Sequence, residues 1–450
     1  MKKQLLFSAI IFLFSFQLFS QYNWYALPNA PKGWRLDDCY FLNPDTGWVI
    51  NPRYNYLTPN TFGQIWRTND GGNTWQLQKD SSETFFRSIG FADAQHGWVG
   101  NLGMVPYTSD TLPFYQTIDG GFTWNPVNLM NPRPKGICGI SVVTDSIIYA
   151  YGRYSGPAVL IKTSDKGNTW TSQDMSAYAS GLIDGFFFNK DTGFVSGSSP
   201  TKNATILSTY DGGATWQVRY LSTRNDTDGV WKFSFPSRDT GYASVENWAY
   251  QTSNRYFLKT VDGGLTWAEL PFIPNYDLQG IGFINDSVGW IGGDNYYRTF
   301  KTMDGGMTWN PDFGFGVATP PYLISTGYVM NRFRRFGDTL LYASGNTVYK
   351  MQVGVNLGSD ELQSESSSID NFPNPFFRET TVTYRFSDAE RNVLLDVYTT
   401  TGEKIISKNL GSQNAGEHQY VFEADLAAGI YYCTITTEKT ELTKKIVVVK

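Results

Sequence analysis

An eight-residue turn, Thr68-Asn69-Asp70-Gly71-Gly72-Asn73-Thr74-Trp75, recurs five more times and constrains the fold more than any other feature of the chain. The Asp-Gly pair permits a sharp reversal, because glycine reaches backbone angles closed to residues with a Cβ. The Asp carboxylate, with a Thr two positions ahead of it, accepts hydrogen bonds from its own turn in place of ladder bonds. The Thr-Trp that follows is β-prone, and its indole is large enough to bridge one small sheet and the next. The copies centre on Asp70, Asp119, Asp165, Asp211, Asp262 and Asp304, at intervals of 49, 46, 46, 51 and 42 residues. Trp75, Trp124, Trp170, Trp216, Trp267 and Trp309 close them, and only Asp165 departs from the Asp-Gly-Gly core, with Lys166 ahead of Gly167.

A second signature, strand, polar turn, strand, is interleaved at a similar period: Phe41 to Val49, Phe91 to Val99, Phe188 to Val195, Phe235 to Ala243 and Phe283 to Ile291. Weaker copies at Val143 to Ala150 and Phe336 to Ala343 make seven against six turns. Asn23 to Pro28 resembles the strand that follows each turn but has none before it, and Phe336 to Met351 has none after it. The two halves complete one another, which predicts an all-β ring of seven four-stranded blades closed by the N-terminal strand, with no sheet edge left at the seam. Both turn types then lie on one face. The other face carries the variable connections: Asn51 to Phe62 with Arg53, Tyr54 and Tyr56; Asn101 to Pro113; Glu246 to Arg255 with Trp248; the stretch with Tyr296 and Tyr297; and Asn310 to Gly327. Such loops usually carry binding residues.

The composition, 16% aromatic with 44 glycines, suits short strands and tight turns, and no long apolar 3.6-period segment follows residue 20. A net charge of −5 without a basic stripe argues against nucleic acid and anionic membrane as partners. Lys2 and Lys3, the apolar run Leu5 to Phe19, and Ser20-Gln21 have the layout of a signal peptide over residues 1–20, too short and too closely followed by polar sequence for a transmembrane segment. Cys39, Cys138 and Cys433 are too scattered for a disulfide framework or a metal cluster and are expected to be buried strand residues. The expected divisions are a ring at 21–354, a polar Ser-rich linker at 355–370, and a small antiparallel sandwich of immunoglobulin-like kind at 371–450.

The repeated turns resemble the Asp-box, or BNR, repeat of sialidase-like β-propellers. With the interleaved strand pairs the chain looks most like photosystem II stability and assembly factors of plants and cyanobacteria, a resemblance that implies a seven-bladed propeller that binds proteins and is not an enzyme. The C-terminal part resembles the type A sorting domain of the type IX secretion system of the Bacteroidota. The matching residues are Phe372-Pro373-Asn374-Pro375-Phe376, Val397-Tyr398 with Thr401-Gly402-Glu403-Lys404, Gly416, Gly429-Ile430-Tyr431, and Lys444-Lys445 to Lys450. That resemblance implies handling by the type IX translocon after periplasmic transit, and a place at the outer-membrane cell surface or in the medium.

Candidate chemistry is sparse. His96 and His418 are the two histidines, and His96 sits in a polar turn, so a Ser-His-Asp hydrolase is not expected. The box aspartates repeat around the ring and their oxygens serve their own turns, which marks them as structural. Sialidases carry an Arg-Ile-Pro type motif before the first box, where this chain has Gly33-Trp34-Arg35-Leu36-Asp37. Xyloglucanases with this repeat use two propellers, and here there is one. Asp226-Thr227-Asp228-Gly229 lacks the spacing of a calcium loop and is expected to be an ordinary turn. Arg332, Arg334 and Arg335 form the densest basic cluster of the ring, where strand alternation sends some side chains to the channel or its rim and where a carboxylate or sulfate can be held. The expectation is a non-enzymatic module, needing no cofactor or metal, that binds a protein or glycan through its loop face, with Arg53, Tyr54, Tyr56, Trp248, Tyr296, Tyr297 and the Arg332, Arg334 and Arg335 cluster as the contact residues. The alternative is a glycoside hydrolase.

Overall fold

The computed structural model describes residues 21–33, 35–54, 61–82, 84–103, 110–128, 131–224, 227–247, 255–272, 278–293, 299–312, 330–354, 368–372, 374, 376–423, 425–439 and 441–449. These residues form strands and turns, with no helix long and apolar enough to cross a membrane among them. The chain divides into two compact units, Met1–Asn356 and Leu357–Lys450.

The first unit is a seven-bladed propeller. Each blade is a four-stranded antiparallel sheet, and in six of them the strands follow chain order from the inside outwards. The inner strands are Asp38–Phe41, Phe86–Phe91, Ile137–Val142, Gly181–Phe187, Asp228–Ser234, Gly280–Phe283 and Arg332–Phe336. Each packs on the next and the last on the first, so the ring is closed. In blade seven the outermost strand is Gln21–Ala26, paired antiparallel with Val348–Gly354 so that Gln21 faces Gly354 and Trp24 faces Met351. Trp24 is buried there against Trp290 of blade six, edge to face at 5.4 Å.

The interleaved signature has a packing cause. A Cβ on Gly47 would sit 2.4 Å from the Phe41 ring, and Gly97, Gly241 and Gly289 stand in the same relation to Phe91, Phe235 and Phe283. The phenylalanine folds over the second strand, and glycine is the residue that leaves room for it. In blade four the ring over Gly193 belongs to Phe187, which corrects the expected start at Phe188 by one residue. The aromatic after the glycine, or after Ile148 in blade three and Leu341 in blade seven, then reaches the following blade: Trp48 stacks on Phe91 at 3.5 Å, Tyr149 on Phe187 at 4.2 Å, Tyr242 on Phe283 at 3.5 Å, and Tyr342 on Phe41 at 3.7 Å across the seam. The box indole meets the same phenylalanine edge-on, as Trp75 does Phe41. Blades are therefore joined by ring triplets whose members come from two sheets.

Each box closes on itself in the same way. In blade one the Thr68 hydroxyl donates to Asp70 Oδ1 (2.8 Å), the Thr74 amide donates to that same oxygen (2.9 Å), the Thr74 hydroxyl donates to Oδ2, and the Gly72 amide donates to Thr68 Oγ1 (2.9 Å). The same four bonds recur at Asp119, Asp165, Asp211, Asp262 and Asp304. The Gly71 amide donates to the Asp45 carbonyl (2.9 Å), which ties the box to the first turn of its own blade and puts both turns on one face. Gly71 has φ +68°, and at the corresponding place in blade three Lys166 is held at φ +58°.

Two expected connections are shorter than the sequence suggests. The strands Gly47–Tyr54 and Thr61–Thr68 extend into the predicted Asn51 to Phe62 loop, and Asp228 opens an inner strand instead of belonging to a turn. All three cysteines are buried and free.

The second unit is a two-sheet sandwich. Ser368–Phe372, Glu379–Phe386 and Gly416–Glu423 form one sheet, and Lys404–Gln413, Glu390–Thr399, Gly429–Thr436 and Glu441–Val448 form the other, in those orders. Val382, Tyr384, Val397, Ile435 and Ile446 are among the residues of its core. Asn374 straps the last strand, donating to the Lys445 carbonyl (3.0 Å) and accepting from the Val447 amide (2.8 Å). Gly402 sits in a turn at φ +85°, the Tyr431 hydroxyl donates to the Ala427 carbonyl, and Lys444 and Lys445 lie on the final strand. Pro373, Pro375 and Lys450 lie outside the described residues.

Candidate functional site

The channel of the ring is plugged by charged residues from non-adjacent blades. Arg332 of blade seven donates through two nitrogens to Asp184 of blade four (2.9 and 3.0 Å) and through Nε to Asp38 of blade one (3.0 Å). Lys232 of blade five lies 3.8 Å from Asp184. Nearer the loop face, Asp37 accepts from Arg35 and Arg87, Arg35 also donates to Gln279 of blade six (2.8 Å), and Gln279 donates to Glu246 (3.0 Å). Arg87 stacks over Trp231, which links blades two and five.

Backbone irregularities aim these groups inward. The inner strands of blades two and five each carry one extra residue against their partner strand, and the extra residues are Arg87 and Trp231. A bulge re-aims a side chain that regular alternation would send between blades. Burial would push the Asp184 carboxyl up, but Arg332 and Lys232 outweigh it and hold it below the ordinary carboxylate range. Burial, reinforced by Arg332, pushes Lys232 down to about 7.

Above the plug, the channel opens on the box face as two adjoining cavities of about 260 and 300 Å³. Arg334 and Arg335 line both. Tyr40, Phe41 and Phe187 wall the first, and Phe233, Phe235 and Phe283 the second. Arg334 donates Nε to the Cys39 carbonyl (2.8 Å), lies over the Tyr40 ring, and has a long contact with Asp38 (3.5 Å). Arg335 donates Nη1 to the Ile284 carbonyl (3.0 Å) and to Asp338 (3.4 Å). The two guanidinium groups are thus held in place by backbone carbonyls. Arg334 keeps Nη1 and Arg335 keeps Nη2 without a partner among the described residues. Among the described residues Asp184 is the one carboxylate that lines either cavity, and its oxygens are engaged by Arg332.

The expected site residues are thereby divided. Arg332 is 7% exposed and belongs to the plug, where Asp38 and Asp184 occupy its donors. Arg334 and Arg335 open on the box face, opposite the face to which the sequence reading assigned them. Arg53 and Tyr54 fall on a strand of blade one, while Tyr56, Trp248, Tyr296 and Tyr297 lie outside the described residues. The sequence reading missed Asp38, Asp184 and Lys232. A charge on an inner strand otherwise made of apolar residues was the signal available. His96 lies in its turn with Nδ1 2.9 Å from Asp93, and no group of three or more potential metal ligands occurs among the described residues.

Residues 370–449 match the family described as the secretion system C-terminal sorting domain, so the chain ends in a type IX sorting domain. Such a domain implies export to the cell surface or secretion. The propeller is similar to the solved structure of YCF48 bound to D1 peptide, at 17% identity and a TM-score of 0.52, over 74% of this chain and 97% of that one. It is also similar to YCF48 from Cyanidioschyzon merolae, at 16% identity and a TM-score of 0.52, over 74% of this chain and all of that one. The GH74 xyloglucanase from Xanthomonas campestris matches at 12% identity and a TM-score of 0.52, over 81% of this chain and 60% of the enzyme. At these identities the likeness is one of fold. A search of curated proteins found no match.

Proposed function

We propose that this chain is an exported, non-enzymatic binding propeller whose channel mouth, at Arg334 and Arg335, holds an anionic group of a protein or glycan ligand. The observation that carries the reading is the pair of guanidinium groups fixed on backbone carbonyls, on two residues that line aromatic-walled cavities. Fixed donors lose little freedom when they bind, and charge-assisted bonds to a carboxylate or sulfate are among the stronger polar contacts. A retaining or inverting glycosidase needs two positioned carboxyl groups. The cavities offer Asp184, already paired with Arg332, and the box carboxylates are engaged by their own turns. Residues 1–20 act as the leader in this proposal, and the type IX translocon handles the sorting domain. The loop-face candidates Tyr56, Trp248, Tyr296 and Tyr297 form a second contact set.

The test combines a glycan array and anionic peptides with a panel of chromogenic glycosides. Binding without turnover, weakened by Arg335→Ala or Arg334→Ala, is the expected result, and Trp248→Ala examines the loop face. Turnover abolished by a single Asp or Glu substitution would replace this reading with a hydrolase. Deleting residues 443–450 should trap the protein in the periplasm, and unchanged export would refute the secretion route.

A further inference from the structure

Because the six boxes share one hydrogen-bonded geometry, the two variable positions of each box, before the Asp and after the second glycine, are equivalent points on the box face. In blades one and three they are polar: Asn69, Asn73, Ser164 and Asn168. In the three consecutive blades four, five and six they are Tyr210, Ala214, Val261, Leu265, Met303 and Met307. Val261 is 69% exposed and Met307 73%, and Leu265 and Met303 are exposed as well. The turn does not require apolar residues at these points, since blades one and three fold the same box with asparagine and serine there. Blade two is apolar there as well, with Ile118 and Phe122 each 63% exposed, but it stands alone between the polar boxes of blades one and three. Blades four to six carry exposed apolar side chains over adjoining units, and such a run marks a contact surface.

This run lies on the face where the second cavity opens, and that cavity is walled by Phe235 and Phe283 of blades five and six and by Arg335. We propose that the run and the Arg335 cavity together dock an extended peptide segment of another protein, with an acidic side chain in the cavity and apolar side chains across the boxes of blades five and six. The inference rests on the binding reading above and adds the ligand class and its path. The apolar side chains of the run have no hydrogen-bonding group for the hydroxyls of a glycan. The run covers blades four to six and is cut off from the single apolar box of blade two by the polar boxes of blades one and three, which suits a linear partner better than a membrane surface. Charge complementarity supplies the acidic element: among the described residues Arg335 keeps Nη2 unpartnered, and Asp338, the carboxylate it contacts, is mostly in solvent.

The experiment is fluorescence anisotropy on the full chain, with labelled decapeptides that combine Asp with Leu and Phe. Matched peptides carry Lys for Asp, or Ser for Leu and Phe. The first set should bind and the others should not. The double variant Met307→Asn with Leu265→Asn, which installs the residue found naturally in the box of blade one, should weaken binding about tenfold. Phe122→Asn on blade two should leave it unchanged. Loss with Arg335→Ala but none with the double variant overturns the docking strip while leaving the anion-binding mouth intact. Equal loss with Phe122→Asn overturns it too, as does a concentration-dependent dimer dispersed by Met307→Asn, or binding to phosphatidylglycerol vesicles in place of peptide. Failure of every anionic probe to bind overturns both readings.

Discussion

The rim and the channel of this propeller both rest on carboxylates held below their ordinary pKa, but they obtain that state in opposite ways. At the rim, the Thr74 hydroxyl and amide hold Asp70 at about 2, and every partner lies within four residues. In the channel, Asp184 is held down by Arg332 and Lys232, which come from blades seven and five. The first arrangement makes a blade; the second fixes blades relative to one another across the ring. Repetition in the sequence therefore records the turn closed within a blade and the ring contacts between one blade and the next, whereas the charges that tie blades together across the channel differ from blade to blade.

Four measurements press on that contrast. The largest effect is expected from Arg332→Met, which leaves Asp38 and Asp184 buried without their shared cation. Breaking a buried pair in this way costs about 3–5 kcal/mol, read as a shift in the urea midpoint. A loss below about 1 kcal/mol would reduce the plug to the level of a surface ion pair and erase the distinction.

Acid should act first on the rim. The box carboxyls of Asp70, Asp165 and Asp211 titrate at about 2 when folded and near 3.9 when unfolded. Their folded pKa is the lower one, so their stabilisation is complete above about pH 4 and is lost as the pH falls towards about 2. Urea unfolding across that window should show stability falling with pH. Asp211→Asn, less stable than the parent at neutral pH, should show a shallower fall, and an equal slope would remove the box from the account.

The channel should respond at the other end of the scale. Lys232 is pushed down to about 7 by burial and by Arg332, well below its unfolded value near 10.4. The unfolded chain then binds the extra proton between those values, so this group makes stability rise as the pH goes from about 7 to about 10. Lys232→Met should flatten that rise and cost nothing at pH 7, because Asp184 keeps Arg332. A destabilised variant with the rise intact would show that Lys232 stays charged in the fold.

The smallest effect belongs to Lys166, a side-chain-bearing residue at φ +58° where the other boxes have glycine. Lys166→Gly relieves that conformation but gives up the Lys166 Nζ contact to Asp93 at 3.1 Å. A gain of about 0.5 kcal/mol is expected, and thermal unfolding would detect it.

These same physical differences decided what could be read without coordinates. Turn chemistry and strand alternation act over a few residues, so the boxes, the blades and the strand that closes the seam were all legible. The Gly47 and Phe41 pairing was visible as a recurrent spacing, although its cause, a ring folded over a bare Cα, required the structure. The channel was not legible. Arg87 and Trp231 reach it through bulges, and an inserted residue in a strand leaves no periodic trace. Asp184 and Arg332 meet across the ring 148 positions apart in sequence. Asp38 stands in blade one where Asp184 stands in blade four, three residues before the phenylalanine that covers the glycine, but the residue at that place changes from blade to blade. The cluster at Arg332, Arg334 and Arg335 was found as a charge cluster, but which member is spent inside depends on how far along the channel it sits, since Arg332 and Arg334 occupy the same side of one regular strand.

The seam has a kinetic consequence. Gln21–Ala26 hydrogen-bonds to Val348–Gly354, so the ring has no complete last blade until the final propeller strand exists to meet the first. Pairing the two most distant strands of a domain demands the longest loop closure it contains, and topologies dominated by such contacts fold slowly. A chain still being made therefore stays open at blade seven and exposes Trp24 and Trp290 until the last propeller strand arrives. Mutations at that junction should slow the closing step more than they alter the finished ring.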